Sequence, residues 1–238
     1  MAQKINPVSL RLGVTQTWNY SIQTYGRSSN SYFHLLHKFA NMQNLLSRLF
    51  YHNNLLLTYQ EGRIYGNKFF LNLYYSYLPD SYTYKSTSFF TGMKKDIYKW
   101  FKITTSVYFY LRISDESTVN LIIAYHQNLF HQNFPAKKIM WSTCKLLQTY
   151  INSYKLSYFK NGFVQIRLKG FKIRLSGRLD GSKSQMANSI EQTLGSLPLN
   201  CLKSYVEYKS ENIYTKSGIC GLQIWLFYEL KEFENVNN

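Results

Sequence analysis

The feature that most restricts the fold is a run of alternation with a single slip in it. Val164, Ile166 and Leu168 alternate with Gln165, Arg167 and Lys169; at Gly170 the parity changes, and Phe171, Ile173 and Leu175 then alternate with Lys172 and Arg174. A period of two over this length specifies a strand with one apolar face. A glycine at the slip point specifies a bulge or a tight turn. One face of this ribbon must be covered by another layer, and the other is a row of cations.

The flanking segments supply covering elements. Asp115 can cap a helix through about His131, with Val119, Ile122, Ile123 and Leu129 inward. Pro135 suits the first turn of a second helix, whose apolar face is Ile139, Met140, Leu146, Leu147, Tyr150 and Ile151. Lys137, Lys138 and Lys145 fall off that face and point to solvent or to a ligand. Met186, Ile190 and Leu194 read as a short helix stopped by Gly195 and Pro198, followed by closing strands at 201–208 and 222–228 around a polar turn with Gly218 and Gly221. Residues 114–238 are therefore expected to form a C-terminal α/β domain of two helices packed on a mainly antiparallel sheet.

The first half is less regular. Residues 1–30 read as an irregular basic extension, punctuated by Asn6-Pro7, Gly13 and Gly26. From Asn30, taken as an N-cap, Phe33, Leu36, Phe39, Ala40, Leu45, Leu46, Leu49 and Phe50 follow helical spacing. Segments 55–59 and 68–77 read as a hairpin separated by Glu61-Gly62-Arg63 and Gly66. Residues 80–92 read as a loop or weak structure, 94–101 as helix, and 103–113 as strand.

Charge says what such a fold meets. The 238 residues carry 28 Lys and Arg against 12 Asp and Glu, a formal charge of +16. Eleven of the cations lie between Lys137 and Lys183, opposed by Asp180 alone. A long unipolar segment repels itself unless a polyanion neutralises it, and a phosphate backbone does so while releasing counterions. An anionic membrane surface would call for a basic amphipathic helix with an exposed apolar face, and the pattern here is mixed helix and strand. With 22 Tyr, 16 Phe and 4 Trp the chain is not a disordered basic tail. Its apolar runs fall short of the ~20 residues that a membrane helix needs.

The residues for catalysis are not assembled. Three cysteines without a CxxC pair indicate neither a disulfide framework nor a zinc site, and a reduced interior is expected. The carboxylates are scattered. His34 and His37 share a helix face but lack an HExxH context or a third ligand. No GxxxxGK[ST] or GxGxxG occurs, and Gly177-Arg178-Leu179-Asp180-Gly181 lacks the lysine and hydroxyl that nucleotide binding requires. Neither enzyme activity, nor a metal, nor a cofactor is expected.

Two blocks carry a family resemblance. Met1-Ala2-Gln3-Lys4-Ile5-Asn6-Pro7, followed by Arg11-Leu12-Gly13, resembles the MGQKxxPxxxRLG opening of bacterial-type small-subunit ribosomal protein S-three, and Ser176-Gly177-Arg178-Leu179-Asp180-Gly181 resembles its SGRLxG motif. Pro198-Leu199, Leu202, Tyr208 and the segment 218–227 parallel its PLxxL, Y and GxxGVKVWIF pattern in the same order. The resemblance implies an α+β chain in which residues 31–113 form a degenerate KH-like (type II) domain of order helix-strand-strand-helix-helix-strand. The family's GxxG phosphate clamp is missing: residues 80–100 contain only Gly92, and the one GxxG, Gly218 to Gly221, lies in the closing hairpin. A KH-like scaffold that does not grip single strands in the usual way is expected.

The same resemblance implies a structural constituent of the small-subunit head at the messenger RNA entrance side. Its partners would be ribosomal RNA, messenger RNA in the entrance channel and neighbouring head proteins, with no membrane and no small-molecule substrate. Lys137, Lys138 and Lys145 resemble the basic patch that helps guide or unwind incoming messenger RNA. Lys4, Arg11, Lys172, Arg174 and Arg178 are candidates for permanent ribosomal RNA contacts. An insertion near 154–168 separates the basic helix from SGRL. Heavy use of Tyr, Phe, Asn, Ile and Lys, and a family N-terminus that begins at Met1, are those of an AT-rich organellar gene, read as mitochondrial rather than plastid because the middle diverges. Two other function classes stay open: a stand-alone RNA-binding regulator, which needs a complete GxxG or an aromatic RNP motif, and a DNA-repair nuclease or lyase, which needs a positioned amine or carboxylate pair.

Overall fold

The computed structural model describes residues 5–22, 29–66, 68–77, 87–111, 118–159, 162–179, 186–215 and 218–230, which hold five helices and nine strands. The mixed α+β class is as expected. The chain divides into two compact units, residues 1–18 with 116–238, and residues 19–115.

The first residues are not irregular throughout. Helix α1 (Pro7–Arg11) is capped by Asn6, whose Oδ1 accepts from the Val8 amide at 2.9 Å, and Pro7 starts the turn with φ already set. The cap and the proline are both visible in Asn6-Pro7. A single turn, however, is too short to show a period.

In the unit 19–115, strand β1 (Tyr20–Ile22) precedes α2 (Ser29–His52), β2 (Leu55–Tyr65), β3 (Lys68–Tyr77), α3 (Thr87–Phe101) and β4 (Thr104–Leu111). The sheet order is β1-β2-β3-β4, with β2 and β3 antiparallel and the outer pairings parallel. The expected hairpin forms, but β2 continues without a break through Glu61-Gly62-Arg63. Gly62 is what lets β1 join: a Cβ there would stand 2.6 Å from the Tyr20 ring. Helix α3 begins at Thr87, inside the stretch expected to be weakly structured. Phe39, Met42, Leu46 and Phe50 of α2 and Met93, Ile97 and Phe101 of α3 pack on Phe69, Leu71, Leu73 and Val107 of the sheet. Of the predicted α2 stripe, Phe33, Leu36 and Leu45 are exposed instead.

In the other unit, α4 (Val119–His131) and α5 (Ala136–Tyr150) pack against a sheet made from β5 (Tyr154–Phe159), β6 (Gly162–Gly177), β7 (Asn188–Gly195), β8 (Tyr205–Thr215) and β9 (Gly218–Leu230). The order is β5-β6-β9-β8, all antiparallel, with β7 also paired to β6. Thr118 stands at the N-cap of α4, and Asp115 lies outside the described residues. The slip at Gly170 is a bulge, because the β6–β9 register shifts between Leu168 and Gly170. A Cβ on Gly170 would stand 2.6 Å from the Ser196 carbonyl oxygen. Residues 154–168, expected to be an insertion, include β5 and the first half of β6.

The segment predicted as a short helix is the edge strand β7. Met186, Ile190 and Leu194 are spaced by four, which is close to one helical turn and is also two strand repeats. Eight backbone pairings with β6 decide between the two. Met186 itself precedes the strand and is exposed.

Candidate nucleic-acid interface

Helix α5 buries Ala136, Ile139, Met140, Thr143 and Leu147, the spacing of a single face. Lys138, Trp141, Lys145 and Gln148 therefore stand on the opposite side, where all four are exposed, as is Lys137 beside them. Lys138 Nζ lies 4.9 Å from the centroid of the Phe134 ring, and Lys145 Nζ lies 5.4 Å from that of Trp141. Aromatic ring and ammonium alternate along the helix, each ring face attracting the neighbouring cation. None of the three lysines meets a carboxylate among the described residues. Trp141, 63% exposed, is the functional candidate that the sequence reading missed; its position off the apolar stripe was the available signal.

A groove of 610 Å³ runs from Trp141, Lys145 and Gln148 on α5 to Glu191, Gln192 and Thr193 on β7. On its wall Cys144 Sγ donates to Gln192 Oε1 at 2.6 Å, and burial pushes this thiol up to about 11. It stays protonated and serves as a hydrogen-bond donor rather than a nucleophile.

The cationic row of the ribbon differs. Lys169 pairs with Glu229 at 2.8 Å, and Lys172 and Arg174 share Glu191 at 2.7 and 3.1 Å. Lys155 pairs with Glu207 at 2.8 Å. Lys172 also lies over the Trp225 ring at 5.7 Å. Glu191 and Glu229 come from β7 and β9, the later strands that pair with β6, and Glu207 comes from β8. The local charge excess is thus partly neutralised by the fold. Arg178, half-buried, follows β6 in the SGRL segment, and Lys4 lies outside the described residues.

Arg11 is a correction. Expected to contact RNA, it is 0% exposed. Its Nε donates to the Ser204 carbonyl at 3.0 Å, Nη1 to that of Pro7 at 2.9 Å, and Nη2 to those of Leu199 and Cys201, each at 2.8 Å. A guanidinium is a rigid fork of donors, and here it ties α1 to the turn before β8. Gln16, whose Nε2 donates to the Val206 carbonyl at 2.7 Å, extends the same attachment. The arginine of the N-terminal motif holds the fold together and is closed to phosphates.

His34 and His37 are exposed on α2, and His37 Nε2 lies 3.0 Å from Asn41 Nδ2. Among the described residues no three His, Cys, Asp or Glu side chains group as a metal would require.

The family model for the C-terminal domain of ribosomal protein S3 matches residues 159–226, which run from the end of β5 into β9. A small ribosomal subunit protein uS3m from Chondrus crispus is 41% identical over all 238 residues, covering 98% of that relative. The chain belongs to the uS3 family. A uS3 of Citrifermentans bemidjiense is 26% identical over 229 residues, 95% of this chain and 96% of that one. By contrast, a uS3c of Emiliania huxleyi matches at 39% over 59 residues, a quarter of this chain. For this uS3 chain the family model therefore spans the bulged ribbon and its partner strands, while the aromatic and basic face of α5 lies N-terminal to it.

Proposed function

We propose that the exposed face of α5, with Lys137, Lys138 and Lys145, meets messenger RNA at the entrance side of the small ribosomal subunit, and that Trp141 stacks within the same contact. The chain is a structural constituent of the mitochondrial small ribosomal subunit, with ribosomal RNA and neighbouring ribosomal proteins as its partners. The observation that carries the messenger reading is the division of charge: among the described residues Lys169, Lys172 and Arg174 of the ribbon pair with carboxylates, and the three α5 lysines do not. Unpaired lysines off a buried helix face meet phosphates without reading sequence. Permanent ribosomal RNA contacts are assigned to Lys4, Lys172, Arg174 and Arg178, with Lys172 and Arg174 meeting phosphate only in competition with Glu191.

The unit 19–115 is read as a KH-like derivative of the type II order. The sequence α2-β2-β3-α3-β4 supports this, although one helix rather than two is described between β3 and β4. Without GxxG it has no backbone clamp for phosphates.

The test is translation by mitochondrial ribosomes carrying Lys137→Ala with Lys138→Ala. Output from messages with a stable hairpin should fall several-fold further than output from unstructured ones. Equal loss on both assigns the lysines to assembly. Recovery of the wild-type chain only in the free fractions of a sucrose gradient would end the ribosomal reading itself.

A further inference from the structure

The sheet of the unit 19–115 has a second face, turned away from α2 and α3, whose composition is unlike that of the first. Across it the register places Tyr59, Tyr74 and Tyr110 in one row, Glu61, Asn72 and Tyr108 in the next, and Arg63 and Phe70 in a third, with Tyr65 beyond. Every side chain in these rows is aromatic or polar, whereas the opposite face is mostly Leu, Ile, Phe and Val, with Thr58, Gln60 and Tyr75 among them. Tyr74 and Tyr110 stack at 5.0 Å with their planes 20° apart, and Tyr59 follows Tyr74 at 5.9 Å. Tyr65, Tyr108 and Tyr110 are each exposed by more than two-fifths. A tyrosine fits a pleated surface well, but so many open rings on one face leave a large flat π surface uncovered.

Between the rings lies an organised polar floor. Arg63 Nη2 donates to Glu61 Oε1 at 2.6 Å, and Asn72 Nδ2 to Glu61 Oε2 at 3.4 Å. These three line a concavity of 490 Å³ with Tyr65, Phe70, Tyr108 and Tyr110 as its walls. Rings for walls and amide, carboxylate and guanidinium groups for a floor suit a nucleobase, which offers two flat faces and an edge of donors and acceptors.

We infer that this face is a stacking platform for unpaired RNA bases, separate from the α5 face. Charge at the scale of the unit favours RNA as the occupant: its described residues hold eight Lys and Arg against Glu61 and Asp96, with Arg63 on this face and most of the others on or beside α2 and α3. The lack of aliphatic side chains within these rows fits bases better than a protein surface, since stacking needs flat rings. Residues two apart on one strand are about 6.7 Å apart. Tyr108 and Tyr110 can therefore each hold one of two consecutive bases that are unstacked from one another. The contact is led by stacking and is tolerant of sequence.

The probes are fluorescein-labelled oligouridine of eight nucleotides and an abasic ribose-phosphate chain of the same length, bound to the full chain at high salt. Wild type should prefer oligouridine by about tenfold. Tyr108→Leu with Tyr110→Leu should abolish the preference, and Tyr108→Phe with Tyr110→Phe should retain it. Lys137→Ala with Lys138→Ala, which tests the α5 reading, should weaken both probes alike and leave the preference intact. Photo-crosslinking of 4-thiouridine to the unaltered chain, mapped by mass spectrometry, should label Tyr108 or Tyr110. An absent preference, or one that survives the leucine pair, overturns the inference. So does a small subunit in which these tyrosines are protected without crosslinking to RNA, since a neighbouring protein would then cover the face.

Discussion

Arg11 and His126 each show what a single buried polar side chain does to this fold. Arg11 is enclosed and satisfied by backbone carbonyls of its own helix and of the turn before β8. Replacing it with Met leaves those carbonyls without donors, at a cost of about 3 kcal/mol or more. Thermal unfolding of the full chain should show that loss, and RNA affinity per folded molecule should not change. His126 is the reverse case. It is fully buried in α4, neither ring nitrogen has a hydrogen-bond partner among the described residues, and burial lowers its pKa from 6.5 to about 4. It is neutral in the fold. Above pH 6.5 the imidazole is neutral in both states and adds no pH dependence. As pH falls from 6.5 to 4 the unfolded chain takes up a proton that the folded one refuses, and stability drops by about 3 kcal/mol. Urea midpoints across that range should record the loss, and His126→Leu should flatten it. Burial of this kind depends on neighbours distant in sequence. In sequence alone Arg11 is one more cation in a basic N-terminus, and His126 is one polar residue in a helical run.

At the scale of elements, legibility depended on how far one period could be told from another. The ribbon was clear, because alternation from Val164 to Leu175 with a glycine at the slip admits few readings, and β6 carries its bulge there. Helix α5 was equally clear from its stripe and its proline. Strand β7 was not, since a spacing of four satisfies both periods and the pairing partner decided the outcome. The same pairing produces a prediction. Gly195 has φ of +78°, and a Cβ there would stand 2.1 Å from the Lys169 carbonyl oxygen. Gly195→Ala should therefore cost more than about 1 kcal/mol, and hydrogen exchange should speed up at β7 amides while β9 amides stay protected. Gly62→Val should act in the same way on β1, since it would displace the Tyr20 ring.

For the whole molecule, net charge alone does not tell which cations the fold leaves without a carboxylate partner. The basic window between Lys137 and Lys183 contains two kinds of cation. Lys155 of β5 and Lys169, Lys172 and Arg174 of β6 meet Glu207, Glu229 and Glu191, all beyond the window, whereas Lys138 and Lys145 of α5 lie over aromatic rings. Salt dependence should separate them. Lys137→Ala with Lys138→Ala should reduce the slope of log K against log salt for single-stranded RNA by about 1.4. Lys169→Ala should change it little, because Lys169 is held by Glu229 and neutralises no phosphate of the RNA.

The sequence by itself determined the class of structure, the bulged ribbon, the two covering helices and the family, because each is written in local periods and motifs that need no distant partner. The tertiary structure decided which cations remain available, which arginine is structural and which rings are left open. Those outcomes depend on which strand lies next to which, and strand pairing joins residues tens of positions apart. Arg11 and Lys138 are both cations in the sequence; only the fold encloses one in carbonyls and leaves the other beside a phenylalanine ring in water.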